Sequence, residues 1–276
     1  MLSVRVDHFK NNGERNLNTR KVEGDFSQTL VSPKFGAVYQ LWDKRVSVFG
    51  NYMNGFTYVA PVTQELAEYS GNMKPQRANQ AEIGVKTQLF NDKLQFTASY
   101  YSILVNNMSR TIDVKKDDQS YNIVIQDGEQ RSKGVELELV ANLFKGFNAV
   151  LGYSYNDSKF ENSNADVLGR RPSSSGPAQV FNAWLSYALQ DTKWKGLGVG
   201  LGVNHIGDQK TVDNAVTGVF TFPSYTLLNS TLFYDTPKYR LAFKVNNILN
   251  EKYYAGQGVI VMQMPRNFSA EVAFKF

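Results

Sequence analysis

Cysteine is absent from the 276 residues, and histidine occurs only at His8 and His205. The first absence excludes disulfides, a thiolate nucleophile and Cys-based zinc sites. The second leaves too few imidazoles for a multi-histidine metal centre, so no catalytic or protein-ligated metal is expected. No run reaches the roughly 18 to 20 apolar residues that a transmembrane helix needs. Charge of one sign is scarce too: Lys+Arg 30 against Asp+Glu 25 leaves +5. Basic residues gather only in pairs such as Lys115-Lys116 and Arg170-Arg171, whereas nucleic-acid binders concentrate them on one face or in one run. Nucleic acid is therefore not an expected partner. A basic start followed by a continuous apolar core, the mark of a signal peptide, is missing as well. Met1-Leu2-Ser3-Val4-Arg5-Val6-Asp7 alternates from the outset, so the expectation is that residue 1 already lies in a strand of a longer protein.

What is present is alternation at period two. Ile83, Val85 and Leu89 share one face while Glu82, Lys86 and Gln88 share the other; Val135, Leu137 and Leu139 stand opposite Glu136 and Glu138 in the same way. By this rule about twelve strands are expected, near residues 1–9, 33–41, 46–56, 78–89, 93–105, 130–143, 147–157, 178–189, 197–206, 225–235, 238–246 and 266–276. Many reach the nine or more residues that a tilted strand needs to cross a bilayer. Because only alternate residues of such a strand meet lipid, a polar mean hydropathy does not argue against the membrane.

The connections alternate between short and long. Short ones are expected at Trp42-Asp43-Lys44-Arg45, Asn91-Asp92, Lys145-Gly146 and Thr236-Pro237, with a longer one from Gln190 to Gly196. Long polar ones are expected near 10–32, 57–77, 106–129, 158–177, 207–224 and 247–265. One rim of tight turns and one of large loops is the pattern of bacterial outer-membrane barrels. Aromatics near strand ends (Trp42, Phe90, Phe144, Phe147, Trp194, Tyr234, Tyr239) suit two membrane interfaces. The last strand, Phe268 to Phe276, ends on an aromatic.

Several stretches resemble the C-terminal barrel of TonB-dependent siderophore receptors. The most specific is Gly128-Glu129-Gln130-Arg131-Ser132-Lys133-Gly134-Val135-Glu136-Leu137-Glu138, followed by Gly152-Tyr153-Ser154-Tyr155. Lys74-Pro75-Gln76 through Lys86 is similar to a family segment in which Glu is usual at the position of Gln76. Pro223 to Asn229, Val245 to Tyr254 and Pro265 to Phe268 resemble the family's last strands. The resemblance implies an all-β, transmembrane antiparallel barrel. This chain would be the C-terminal half, about 12 strands, of a 22-stranded receptor barrel whose plug domain is absent here. It implies bacterial outer-membrane location and import of a ferric siderophore. Energy would come from the TonB complex through the missing N-terminal region, and iron would be carried inside its chelator with no protein cofactor. The remaining implied partners are outer-membrane lipid and the barrel-assembly machinery, reached through Phe276.

Candidate ligand contacts are the loop aromatics Phe56, Tyr58, Tyr69, Tyr121, Phe220, Tyr253 and Tyr254, with Arg170, Arg171 and Arg266. Rings and guanidinium groups suit a flat, often anionic chelate; the competing role for each ring is the interfacial girdle. Gly196, Gly198, Gly200 and Gly202 alternate with apolar residues and run on to His205 without a helical pattern. They therefore read as a strand on which glycine permits close backbone approach, not as a phosphate loop. Glu136 and Glu138 read as lumen-facing charges, not an acid/base pair. Asp113, Asp117 and Asp118 are interleaved with lysines and read as solvated loop rather than a calcium site. The rival functions are a complete 12-stranded pore or outer-membrane enzyme, a TonB-dependent receptor for a non-siderophore cargo, and a secreted glycan-binding β-sandwich.

Overall fold

A computed structural model describes residues 1–15, 20, 22–256 and 259–276. Its main body is one antiparallel sheet of β1 (Leu2–Arg15), β2 (Val22–Leu41), β3 (Val46–Thr57), β4 (Gln76–Leu89), β5 (Leu94–Lys116), β6 (Gln119–Ala141), β7 (Phe147–Asn162), β8 (Gln179–Ala188) and β9 (Leu197–Ile206). Two strands, β10 (Gln209–Asn214) and β11 (Gly218–Phe222), form a separate hairpin before β12 (Tyr225–Asp235) and β13 (Tyr239–Asn246) rejoin the sheet. A second small pair, β14 (Tyr254–Ala255) and β15 (Val261–Met262), precedes β16 (Asn267–Phe274). The sheet holds twelve strands among the described residues, each beside its sequence neighbour apart from the two small pairs. It is open, with β1 and β16 as its edges.

Strand register turns the sequence alternation into two surfaces. Cross-strand partners on one face form the row Ile83, Tyr100, Val135, Tyr155, and the next row down is Val85, Ala98, Leu137, Tyr153. Below them lies Thr87, Phe96, Leu139, Leu151. This face is convex and apolar, and its large side chains are open: Ile83 is 59% exposed, Leu232 56% and Val272 61%. Above, the row Ala81, Ser102, Lys133, Asp157 begins a polar surface, and the row Asn79, Leu104, Arg131, Lys159 continues it. The apolar band between this change and the tight turns therefore covers about nine residues of β4, roughly 26 Å along the strand. An exposed apolar belt of that height has lipid as its natural solvent.

The tight rim is built from left-handed residues. Phe90, Asn91 and Asp92 have φ of 55°, 57° and 64°, and Trp42, Asp43 and Lys44 of 48°, 51° and 70°, and Asn and Asp tolerate that region better than most residues. At the other rim the long connections differ from expectation in one respect. The stretches 10–32 and 106–129, expected as loops, are largely strand: β1 pairs with β2 from Leu2↔Phe35 to Arg15↔Val22, and β5 pairs with β6 down to Lys116↔Gln119. Residues 16–19 and 21 of the first stretch, and 257–258 of the last connection, lie outside the described residues. A bulge at Met108 opposite Gly128 interrupts the second pair. That shift breaks the alternation, which is why the sequence pattern stopped there. Asp117 and Asp118, with φ of 50° and 61°, are the two central residues of the hairpin turn.

The alternating glycines at the start of β9 meet the expectation in part: backbone carbonyls of Asp235 and Tyr187 approach Gly196 and Gly198, whereas at Gly200 and Gly202 a side chain does so. Gly200 and Gly202 lie under the Trp184 ring, and a Cβ on Gly200 would overlap it. Gly84 lies likewise under Phe49 and Gly134 under Tyr101. Each ring, on the concave face, covers strand backbone that a glycine leaves bare.

Two substitutions test this wall. Leu137→Arg is expected to cost about 2–4 kcal/mol of stability in lipid, because a cation at mid-bilayer depth meets hydrocarbon; Glu138→Arg, one residue away on the concave face, should cost well under half of that in the same denaturant titration. Gly200→Val should lift the Trp184 ring into water, destabilising by about 1–3 kcal/mol through overpacking, with a red shift of tryptophan emission as the direct readout.

Candidate functional site

The concave face carries the residues that alternate with the lipid-facing ones. Glu82, Lys86, Ser99, Glu136, Glu138 and Asn204 line a groove of about 1250 Å³. Asn51 donates from Nδ2 to Glu82 Oε2 at 3.0 Å, and Lys86 Nζ stands 5.4 Å from the Phe49 ring centroid. Further round, Lys244 pairs with Glu271 at 2.7 Å and the Arg240 guanidinium lies 5.2 Å from the Phe233 ring. This is a charged, water-facing wall in which Glu136 and Glu138 have no cation partner among the described residues. Among those residues no group of three or more His, Asp or Glu is placed to hold a metal.

A second recess of about 450 Å³ forms where the β7–β8 connection folds back over the wall. Ser174 and Ser175 face Gln80, Gln130, Ser132 and Ser158 across it. Ser158, 2% exposed, donates to Asn156 Oδ1 at 2.6 Å and meets Ser132 Oγ at 2.7 Å. The fold-back is fixed by Arg171. Its guanidinium donates to the Asn156 carbonyl at 2.8 Å, to Asn156 Oδ1 at 3.0 Å and to the Gly176 carbonyl at 3.1 Å, with longer bonds to the Ser175 and Pro177 carbonyls. Burial pushes its pKa down, yet guanidinium stays charged in any accessible pH range. Arg171 is thus a structural tie.

Arg170 makes the neighbouring tie. It donates to Asp213 Oδ1 at 2.8 Å, and Lys210 reaches Asp213 Oδ2 at 3.0 Å. The Asp213 side chain is 5% exposed. Burial by itself raises that carboxyl, but the hydrogen bonds from Arg170, Lys210 and the Arg171 amide outweigh it and hold its pKa below the usual range. Through this ion pair, and through Asn214 donating to Asp166 Oδ2 at 2.6 Å, the β10–β11 hairpin is fastened to the β7–β8 connection.

The other candidates fall into separate neighbourhoods of the outer rim. Phe56 meets Phe9 edge-on at 5.7 Å, while Tyr58 stacks on Phe9 and Phe26 at 6.1 and 5.3 Å, so both hold the β1–β2 hairpin to the end of β3. Tyr253 packs on Tyr225 at 4.4 Å. Tyr121 donates to Gln119 at 2.7 Å near the tip of the β5–β6 arm. Tyr69, Phe220 and Tyr254 are 38%, 45% and 43% exposed, and Arg266 is exposed as well.

The family-like run is spread over three tasks. Gly128 sits at the bulge, where a Cβ would be 2.8 Å from the Met108 carbonyl. Glu129 accepts from Asn106, and Arg131 pairs with Glu161 at 2.5 Å on the convex side. Gln130, Ser132, Gly134, Glu136 and Glu138 face the interior. Residue types did not point to Gln64, Gln126, Asn164 or Asp213, because each acts on a segment distant in sequence.

The family described as "TonB dependent receptor-like, beta-barrel" matches residues 1–248, and the chain belongs to it. It is a family of outer-membrane receptors and transporters, not of enzymes. The chain is 28% identical over 237 residues to the ferrioxamine B receptor of Salmonella typhimurium, covering 84% of this chain and 32% of that protein. It is 26% identical over 226 residues to the ferrichrome outer membrane transporter/phage receptor of Escherichia coli, covering 80% and 28%. It thus spans about a third of the length of such relatives. Its fold matches the ferric-catecholate import receptor Fiu of E. coli with a TM-score of 0.74 at 23% identity, covering 91% of this chain and 36% of that one. With the FrpB iron transporter of Neisseria meningitidis the TM-score is 0.73 at 16% identity, over 100% and 42%.

Asp213 provides a pH test. Its folded pKa lies below its unfolded one, so the tie is complete above the ordinary carboxylate value of about 3.9 and weakens as pH falls below that value through the folded pKa. Hydrogen exchange of residues 209–222 in the full-length receptor is expected to stay slow from pH 7 to about 4 and to rise, after correction for intrinsic rates, only below it. Asp213→Asn should show the faster, released exchange at every pH.

Proposed function

We propose that this chain is the C-terminal part of the barrel of a bacterial outer-membrane receptor that captures a ferric siderophore at its outer rim and imports it. Twelve of 22 strands would come from these residues. The remaining wall, the plug and the segment that contacts the TonB complex would come from sequence outside them. Iron would travel inside its chelator, needing no protein ligand. Outer-membrane lipid would cover the convex face, and the barrel-assembly machinery would read the closing strand through Phe276.

The observation that carries this reading is the two-faced wall with long, packed segments on one rim only, in a chain whose relatives are named for ferrioxamine, ferrichrome and catecholate siderophores. In that setting the unpaired Glu136 and Glu138 would face the plug or a passing ligand. The exposed Tyr69, Phe220, Tyr254 and Arg266 would be the outward contacts for the chelate.

The test is growth on siderophore iron. A strain carrying the intact full-length gene should take up at least one of a panel of ferric hydroxamates and catecholates, and deletion of residues 1–276 should abolish that uptake. Undiminished uptake after the deletion would refute the assignment, whereas uptake of a non-iron cargo would move the protein to another branch of the same family.

A further inference from the structure

The chain buries few large apolar side chains, and most of them are not in the wall. Among the described residues these are Leu30, Leu66, Ile123 and Phe222. Leu66, Ile123 and Phe222 belong to segments beyond the apolar band, the β3–β4 connection, the β5–β6 arm and the β10–β11 hairpin; Leu30 lies high on β2, one row from the exposed Val6 and Val31. The reason is solvent. Lipid gives the wall no incentive to hide apolar groups, whereas the rim stands in water and gains by packing a core of its own.

The centre of that packing is the arm. Beyond the Met108 bulge, β5 and β6 stay in register for eight pairs, from Ser109↔Gln126 to Lys116↔Gln119, a post of about 25 Å. Ile123 within it is 0% exposed. On one side the β3–β4 connection is bound by two glutamines that imitate a strand. Gln64 accepts from the Val124 amide at 2.6 Å and donates to the Val124 carbonyl at 3.0 Å. Gln126 accepts from the Lys74 amide at 2.6 Å and donates to the Lys74 carbonyl at 2.7 Å. On the other side Asn164 accepts from Arg110 at 2.9 Å and donates to the Thr111 carbonyl at 3.0 Å, while Asn162 donates to the Asp127 carbonyl at 2.7 Å. Arg110 is itself set by two bonds to Asp127 at 2.6 and 2.7 Å.

We infer that the outer rim is assembled before any ligand arrives, with the arm as a fixed post and Gln64, Gln126 and Asn164 as positioning residues that hold the 58–74 and 163–168 segments against it. This rests on the receptor reading above and specifies how the rim serves it. Each glutamine clamp satisfies a backbone donor and acceptor together, as a ladder does, and is neutral, whereas Asn164 takes one of its two bonds from the Arg110 guanidinium and Glu68 adds an ion pair to Lys116. The hairpin of β10 and β11, in contrast, is fastened largely through charge at Asp213. The arm and its two neighbours form a rigid side of the site that spares the ligand an ordering cost.

Hydrogen exchange and chelate binding on the full-length receptor in lipid decide this. Without ligand, the wild type should protect the Val124 and Lys74 amides. Gln64→Ala with Gln126→Ala should speed exchange across 58–74 at least tenfold while β4 and β9 keep wild-type rates. Dissociation constants for the ferric chelate that supports growth should rise about tenfold, with protection of 58–74 restored once ligand is bound, and Gln→Glu at both positions, which keeps the acceptor only, should fall between. The inference is overturned if unliganded wild type exchanges 58–74 like free peptide, if the double alanine variant stays protected, or if protection is lost with affinity unchanged. A wild type that binds no ferric chelate yet shows the predicted exchange pattern would sink the receptor reading and leave the preassembled rim standing.

Discussion

Inside hydrocarbon a peptide group has no water to turn to, so every N–H and C=O of the wall must find its partner within the sheet. The rest of this structure depends on that constraint. It makes the strands long, it joins each strand to its sequence neighbour through the continuous registers from β1 to β9, and it permits irregular backbone only beyond the apolar band. The bulge at Met108 and Gly128, the folded-back segment at Arg171 and the two small hairpins all lie on the wet side of the change from Ile83 and Val135 to Asn79 and Arg131.

The same constraint divides the chain into parts with different energetics. In the wall, apolar side chains point outward and remain open, and cohesion comes from ladder hydrogen bonds and from rings such as Trp184, Phe49 and Tyr101 laid over glycine. In the rim, water restores the hydrophobic effect, and Leu66, Ile123 and Phe222 are buried as they would be in a soluble protein. Side-chain amides then do for the rim what the ladder does for the wall. Gln64 and Gln126 are bound as if they were strand backbone.

Function follows from the division of the surface. A concave wall that is charged and flush suits passage of, or contact with, a polar body, and a rim with fixed and ion-paired parts suits capture of a solute from outside. Arg171 illustrates how residue type misleads at such a place. A guanidinium among loop aromatics invites a role in holding an anionic chelate, yet its donors are consumed by Asn156 and by the carbonyls of Ser175, Gly176 and Pro177.

Period-two patterning is a local property, so Ile83, Val85, Leu137 and Leu139 could be assigned to one face, and Glu82, Lys86, Glu136 and Glu138 to the other, from the chain alone. The tight turns at Trp42 to Lys44 and Asn91-Asp92 were legible for the same reason, since their conformations depend on two or three adjacent residues. The arm was not: one residue of bulge inverts the pattern, and polar side chains beyond it look like loop until the partner strand is known. Nor was the use of Gly200, Gln64 or Asp213, each of which is defined by a group from another strand or hairpin: Trp184 over the glycine, Val124 at the amide, and Arg170 at the carboxylate. Sequence by itself determined that this chain is a two-faced β-wall of the receptor family. Which side chains are ties and which remain open to a ligand was decided only by tertiary structure, because register brings together residues dozens of positions apart.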